Sequence, residues 1–461
     1  MLNRLLNSTG PSALLLLLAL AVPTAPCAAQ SLPRPEREQL LNGLTVLLLP
    51  RPGDANVLLK LRINSGAAFD LAGKEGMMAL LGDALFPDQT THQYVTNELG
   101  GRLEVTTDYD SINVTLAGPV ADYERLVELL RNAVVTTPLT AEVIGQLREA
   151  RIKTTRETGI APATIADRAI AARLFGSYPY GRPPAGTPET LARIERRDLL
   201  TARERFLNPN NSTLVVIGGV DKSRATRALR QLLGQWQKSE GVVPATFQRP
   251  LPPDPRTLIV NVPGMQGTEI RLATRAPARS APDYEAVQLL ALVARDRWQK
   301  SFSELKDHPF FVRADGYFLS GVFEMGAAVP TTMAAQALDA ARGVLNSLAT
   351  TQPSADEIQS VKRDALATLN KMAGQADWLA NAWLDEATYG IAPAEEERAM
   401  GALTPVDLQR VAAKLFRNAP IASVAVGDAA QLRPILERSG AVEVLGAESP
   451  KNAPRPPVKR P

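Results

Sequence analysis

Gly73-Lys-Glu-Gly-Met-Met-Ala-Leu-Leu-Gly-Asp-Ala-Leu-Phe86 decides how this chain is read. The stretch reads as a helix, and on one helical face residues at i and i+4 stand side by side. Two imidazoles at positions 79 and 83 could share one metal ion, and a carboxylate beside them could take a proton from bound water. The residues that stand there are Ala79, Gly82 and Asp83. Ala79 offers no donor atom and Gly82 no base. Asp83 alone supplies an oxygen, which does not make a tetrahedral zinc site. The plainer reading of Asp83 is a solvated or capping carboxylate.

The rest of the chain does not make up the deficit. Its 461 residues include only two histidines, His92 and His308, far apart in sequence, and one cysteine, Cys27. Zinc sites draw on clustered His and Cys, and carboxylates alone suit Mg or Ca, so no metal is expected and both histidines read as surface or loop residues. Arg4, the apolar run Ala13–Val22 and the small residues Ala25, Ala28 and Ala29 form the pattern of a secretory signal over 1–29. Its removal would take Cys27 with it and place the protein outside the cytoplasm, in the periplasm. That run is too short to span a bilayer comfortably and no other approaches it, so no membrane span is expected after cleavage. A formal net charge of +3 makes no case for nucleic-acid binding. The basic, Pro-rich end 446–461 reads as a disordered tail. No G-x-S-x-G elbow, Walker loop or dinucleotide fingerprint stands in a suitable context.

The chain repeats itself. Ile194–Leu200 followed by the apolar run Ser212–Gly218 matches Leu403–Gln409 followed by Ile421–Gly427: a helix, a strand ending in Gly, then another helix. The Pro-rich stretch 241–255 between the copies reads as an extended linker, dividing the chain into domains 30–240 and 256–445. In the first copy Thr45–Leu49, Val57–Ile63 and Glu104–Ala117 read as strands. Ile112, Val114 and Leu116 alternate with Asn113 and Thr115, the period of a half-buried antiparallel strand. Leu126, Leu129, Leu130, Ala133 and Val134 follow at helical spacing, and helical patterns continue from Ala141. The expected class is α+β, with two homologous sandwich domains of antiparallel-rich sheet and helices packed on one face.

In order along the chain, Asn42-Gly-Leu-Thr-Val46, Gly76 to Phe86, Glu98-Leu-Gly-Gly-Arg-Leu103, Tyr178-Pro-Tyr-Gly181 with Gly186-Thr187, and Asn208-Pro-Asn-Asn-Ser-Thr-Leu-Val-Val216 resemble the insulinase/pitrilysin family, the inverzincins. There the motif helix carries H-x-x-E-H. The resemblance spans roughly residues 38 to 440 and implies two homologous α+β domains forming a half-clamshell. It implies a third zinc ligand from a downstream helix, for which Glu149 and Glu157 are the acidic candidates; without histidines to work with, both read as surface charges. It also implies a substrate-gripping Arg and Tyr in the second domain. Lys306 stands where the Arg is expected and Phe311 near the Tyr, with Arg313 and Tyr317 as possible substitutes. Lys lacks the planar fork and Phe cannot hydrogen-bond, so this grip on peptide would be weaker.

The function implied is a non-catalytic subunit paired with a zinc-bearing homologue around a peptide chamber, with zinc only in the partner and peptides as substrate. A stand-alone envelope binding or scaffold protein is the alternative from another class. A metallopeptidase with an unorthodox site around Asp83 is a third, opposed by the ligand count.

Overall fold

In a computed structural model, which describes residues 32–136, 139–239, 247–248, 250–417 and 419–446, the apolar runs become two six-stranded sheets. The expected signal segment 1–29, the start of the expected linker and all but the first residue of the expected tail lie outside the described residues.

The first sheet comprises β1 (Glu36–Gln39), β2 (Thr45–Pro50), β3 (Asn56–Ile63), β4 (Arg102–Thr107), β5 (Ile112–Pro119) and β6 (Ser212–Gly218), in the order β1-β2-β6-β3-β5-β4. The second comprises β7 (Thr257–Asn261), β8 (Thr268–Ala276), β9 (Phe310–Asp315), β10 (Gly321–Val329), β11 (Ala422–Gly427) and β12 (Val442–Leu445), in the order β12-β7-β11-β8-β10-β9. Five strands correspond one to one: β2 with β7, β6 with β11, β3 with β8, β5 with β10 and β4 with β9. The duplication therefore extends from the two phrases that revealed it to whole sheets. It breaks at one edge, where β1 comes before β2 and pairs antiparallel with it, whereas β12 comes last and pairs parallel with β7. The repeated helices also start alike. Glu195 with Asp198 and Thr404 with Asp407 form capping boxes that satisfy the first free N–H groups of helices Arg196–Phe206 and Pro405–Ala412.

Each sheet lays one face on its own helices, and the α+β class holds. Val46, Leu48, Leu59, Leu61 and Leu214 pack with Leu126, Leu130 and Leu199 in the first half; Ile270, Leu272, Phe323 and Met325 pack with Leu290, Trp298 and Leu345 in the second. The opposite faces are not left to water. Helix Ala376–Tyr389 of the second half puts Leu379, Trp383 and Leu384 on Leu47, Leu58, Val215 and Ile217. Helix Pro162–Phe175 of the first half puts Ala166, Ile170 and Leu174 on Leu258, Ala273, Val424 and Val426. The two halves thus exchange a helix.

The cause lies in the central strands, whose apolar runs are continuous and need burial on both sides. Every residue of β6 is buried. The half-buried alternation expected for β5 is corrected by the same exchange: Asn113 and Thr115 are buried as well as Ile112, Val114 and Leu116. Asn113 is satisfied there by Arg62 Nε, which donates to its Oδ1 at 2.8 Å, while Arg62 Nη1 donates to Asp385 of the exchanged helix at 2.6 Å.

Candidate functional site

The motif helix, Met77–Asp83, follows β3 and starts where the backbone requires glycine. Gly76 has φ +91°, and a Cβ on it would lie 2.8 Å from the carbonyl oxygen of Ala185. Gly186, φ +76°, faces it, and its Cβ would meet Glu75 O at 2.4 Å. Two backbone turns touch here, so glycine is needed in both phrases. Asp70 caps the helix, accepting from Gly76 N at 2.7 Å and Met78 N at 2.8 Å. Burial pushes its carboxyl up to about 7, against the pull of those two donors.

Ala79 and Gly82 are sealed inside. A Cβ at Gly82 would come within 2.9 Å of Thr107 Oγ1, so a glutamate there would need Thr107 to move. Of the three motif positions only Asp83 reaches the adjoining cleft of about 430 Å³, with Phe86, His92, Leu147 and Arg151. The expected solvated carboxylate is in fact clamped. Arg151, from helix Ala141–Gly159, donates through Nε and Nη2 to the two oxygens of Asp83, each at 2.6 Å, and Nη2 lies 3.3 Å from Ala79 O. A guanidinium fork thus spends both oxygens of the last metal-competent residue of the helix.

His92, on the short helix Gln89–Gln93, is half-buried against Phe86 in the same cleft, a neighbour of Asp83 that sequence spacing did not reveal. Glu149 and Glu157 are exposed, as surface charges are. Among the described residues no group of three or more His, Cys, Asp or Glu could hold a metal. Arg151→Ala is expected to cost about 1–2 kcal/mol, since the pair is partly buried, without creating zinc affinity. Urea unfolding and elemental analysis after dialysis against zinc check both parts.

The second-domain residues named from sequence divide. Lys306 is exposed on the turn Ser303–Asp307, ahead of β9. Phe311, Arg313 and Tyr317 lie on β9 and the following loop. The Phe311 ring carries the guanidinium of Arg313 at 4.8 Å and that of Arg271 at 5.1 Å. Arg313 is ion-paired to Glu324, at 2.6 Å, and to Asp315, at 3.2 Å. Tyr317 packs on Tyr109 and Tyr180 from the first half, with ring centres 5.1 and 5.0 Å apart. Arg313 and Tyr317 line a cavity of about 330 Å³ between β10 and the exchanged helix Pro162–Phe175.

Bonded to Tyr180, which lines this cavity, is a residue that carried no sequence signal. Asp110, in the β4–β5 turn, accepts from Tyr180 OH at 2.8 Å, Phe318 N at 2.7 Å and Tyr389 OH at 3.1 Å. Tyr180 OH in turn accepts from Leu319 N at 3.0 Å. One buried carboxylate thus ties a turn of the first half to a loop and a helix of the second. Burial pushes its pKa up, with the Tyr180 hydroxyl pulling the other way. The Tyr178-Pro-Tyr-Gly181 phrase was the visible half of this arrangement.

The counterpart of the motif cleft in the second half, between β9 and helices Tyr284–Ser301 and Ala355–Met372, measures about 600 Å³. Arg279 bridges Glu285 and Glu396 there and covers the Tyr284 ring. Burial first, and the like charge of Glu396 second, push Glu285 up to about 7 against the pull of Arg279. The folded state holds this proton more tightly than the unfolded state, so the contribution is present below pH 4.5 and is lost as pH rises through 7. Stability is expected to fall by on the order of 2 kcal/mol from this group between pH 5 and 8. Urea titrations of the wild type and Glu285→Gln at both pH values check it, and the variant should respond less.

Residues 193–364 match the family model of the peptidase M16 inactive domain. In structure, 86% of the chain is similar to all of a protease from Helicobacter pylori, with TM-score 0.78 and 16% identity. It is similar over 86% to 98% of a peptidase M16 inactive domain from Pseudomonas fluorescens, with TM-score 0.74 and 18% identity. The same share is similar to 97% of a chain of complex III2 from Candida albicans with Inz-5 bound, with TM-score 0.73 and 13% identity. No curated protein matches the chain significantly. A duplicated α+β fold, an inactive-domain match over residues 193–364 and a motif helix that keeps its place but not its ligands make the chain similar to the M16, or insulinase, peptidases, without the H-x-x-E-H motif.

Proposed function

We propose that this chain is the non-catalytic subunit of an exported, periplasmic peptidase, pairing with a zinc-bearing homologue and walling a chamber for peptides. The observation that carries the reading is the Asp83–Arg151 clamp: the motif helix is retained, capped and packed, yet its one remaining ligand is spent on an arginine. The partner brings zinc and the general base; this chain brings surface. Extended peptide has an edge to follow, since among the described residues β4 and β9 are the end strands of their sheets. Arg313 and Tyr317 stand beside that edge in the second half, and Lys306 and Phe311 add a cation and a ring on the same segment. Export rests on the signal pattern over 1–29, and no helix among the described residues is long and apolar enough to cross a membrane.

The test is affinity purification of the tagged mature chain from envelope extract, with mass spectrometry of proteins recovered in near-equal amount. Co-purification of an H-x-x-E-H homologue, with peptide cleavage only when both chains are present, supports the reading. A chain that comes out alone, and that leaves the homologue's activity unchanged, overturns it in favour of a stand-alone binding protein.

A further inference from the structure

The cavity between β10 and helix Pro162–Phe175 has an unusual floor. Glu324 is 3% exposed, and its Oε1 accepts no hydrogen bond from any described residue. Both Arg313 contacts, from Nε at 3.1 Å and Nη2 at 2.6 Å, go to Oε2. Arg271 Nε stands 3.5 Å from Oε1 but is turned to Asp167, to which it donates at 2.7 Å. A buried carboxylate oxygen without a donor is costly, and Glu324 is one of the residues that line the cavity. Around this oxygen Glu324, Asp315, Asp167 and Glu269 share two arginines, Arg313 and Arg271. Two further cations, Arg182 and Arg168, line the wall. Arg182 donates to the carbonyls of Asp70 and Ser177, and Arg168 lies beside the backbone of Gly159.

We propose that this cavity is a subsite for a protonated alkylamine, supplied by a lysine side chain of a bound peptide. The proposal rests on the peptide-binding reading above. A single vacant oxygen suits the compact ammonium, whereas a guanidinium would seek two oxygens in a fork, and Arg313 has already taken the other. Ile170, Leu174 and Val322 offer apolar wall for the alkyl stem, and the rings of Tyr109 and Tyr317 flank the charge. At about 330 Å³ the space is of the size for one side chain or one small molecule.

The test is calorimetric titration of the full mature chain with acetylated, amidated alanine nonapeptides carrying lysine or norleucine at the centre, and with n-pentylammonium. The lysine peptide is expected to bind roughly tenfold tighter than the norleucine peptide, a charge-assisted hydrogen bond being the difference. Glu324→Gln should erase that preference while leaving norleucine binding in place. Asp315→Asn, on the more exposed wall, should reduce it as well and guards against misfolding of the first variant, which far-UV circular dichroism monitors. Equal binding of the two peptides overturns the subsite and leaves peptide binding standing. Pentylammonium binding without peptide binding upholds the amine site and overturns the peptide as its source. Absence of binding by all three probes overturns the proposal.

Discussion

Asp110→Ala is expected to lower the unfolding free energy by about 3–5 kcal/mol, among the largest effects of any single substitution in this chain. The change removes one carboxylate and strands three donors at once: the hydroxyls of Tyr180 and Tyr389 and the N–H of Phe318. Tyr180 is 1% exposed, so water does not easily replace the lost acceptor. A buried donor left without a partner costs about 1–3 kcal/mol, and the loop at Phe318, which is exposed, recovers part of its share from solvent. Asp110→Asn keeps an acceptor oxygen but turns an amide donor toward one of the three, so it should cost roughly half as much. Urea unfolding followed by tyrosine fluorescence measures both. A loss below about 1 kcal/mol for the alanine variant would mean that the halves are held by the exchanged helices and the other ion pairs between them, such as Arg62–Asp385, rather than by Asp110.

Trp383→Ala is expected to cost a similar amount, about 3–5 kcal/mol, by a different route. Trp383 is 3% exposed and lies on the exchanged helix against Leu47, Leu58, Val215 and Ile217 of the other half's sheet. Truncation leaves a cavity that sheet strands cannot close, because their spacing is set by backbone hydrogen bonds. Loosening this helix should also let the halves unfold in separate steps, so calorimetry should resolve two transitions where the wild type gives one. Tyr389, on the same helix, is a donor to Asp110. The double variant should therefore lose less than the sum of the single losses, since each change already frees that helix.

Much of this architecture was legible in the chain. Strands β2, β3 and β5 and the helix bearing Leu126 and Leu130 came from local periodicity, which a strand or helix imposes on its own residues. The duplication was visible because both copies keep a capped helix before an apolar strand ending in Gly218 or Gly427. The fate of the motif helix was legible in part. Ala79 and Gly82 have no side-chain donor for zinc in any fold, so that conclusion needed no coordinates. Asp83 was different, because whether a carboxylate is solvated or clamped depends on Arg151, 68 residues away.

What the sequence by itself determined, then, is the set of elements, their repetition and the loss of zinc chemistry at positions 79, 82 and 83. These follow from residue types and short-range spacing, which survive whatever the chain does globally. The tertiary structure alone decided the exchanged helices, the Asp110 clasp and the cavity over Glu324. Each of these joins residues of both halves: Asp110 to Tyr389, Trp383 to Val215, and Ile170 with Glu324 around one space. Which residues meet across such distances is set by how two apolar sheet faces find cover, and hydrophobic burial is non-directional. Only the packed structure selects the partners.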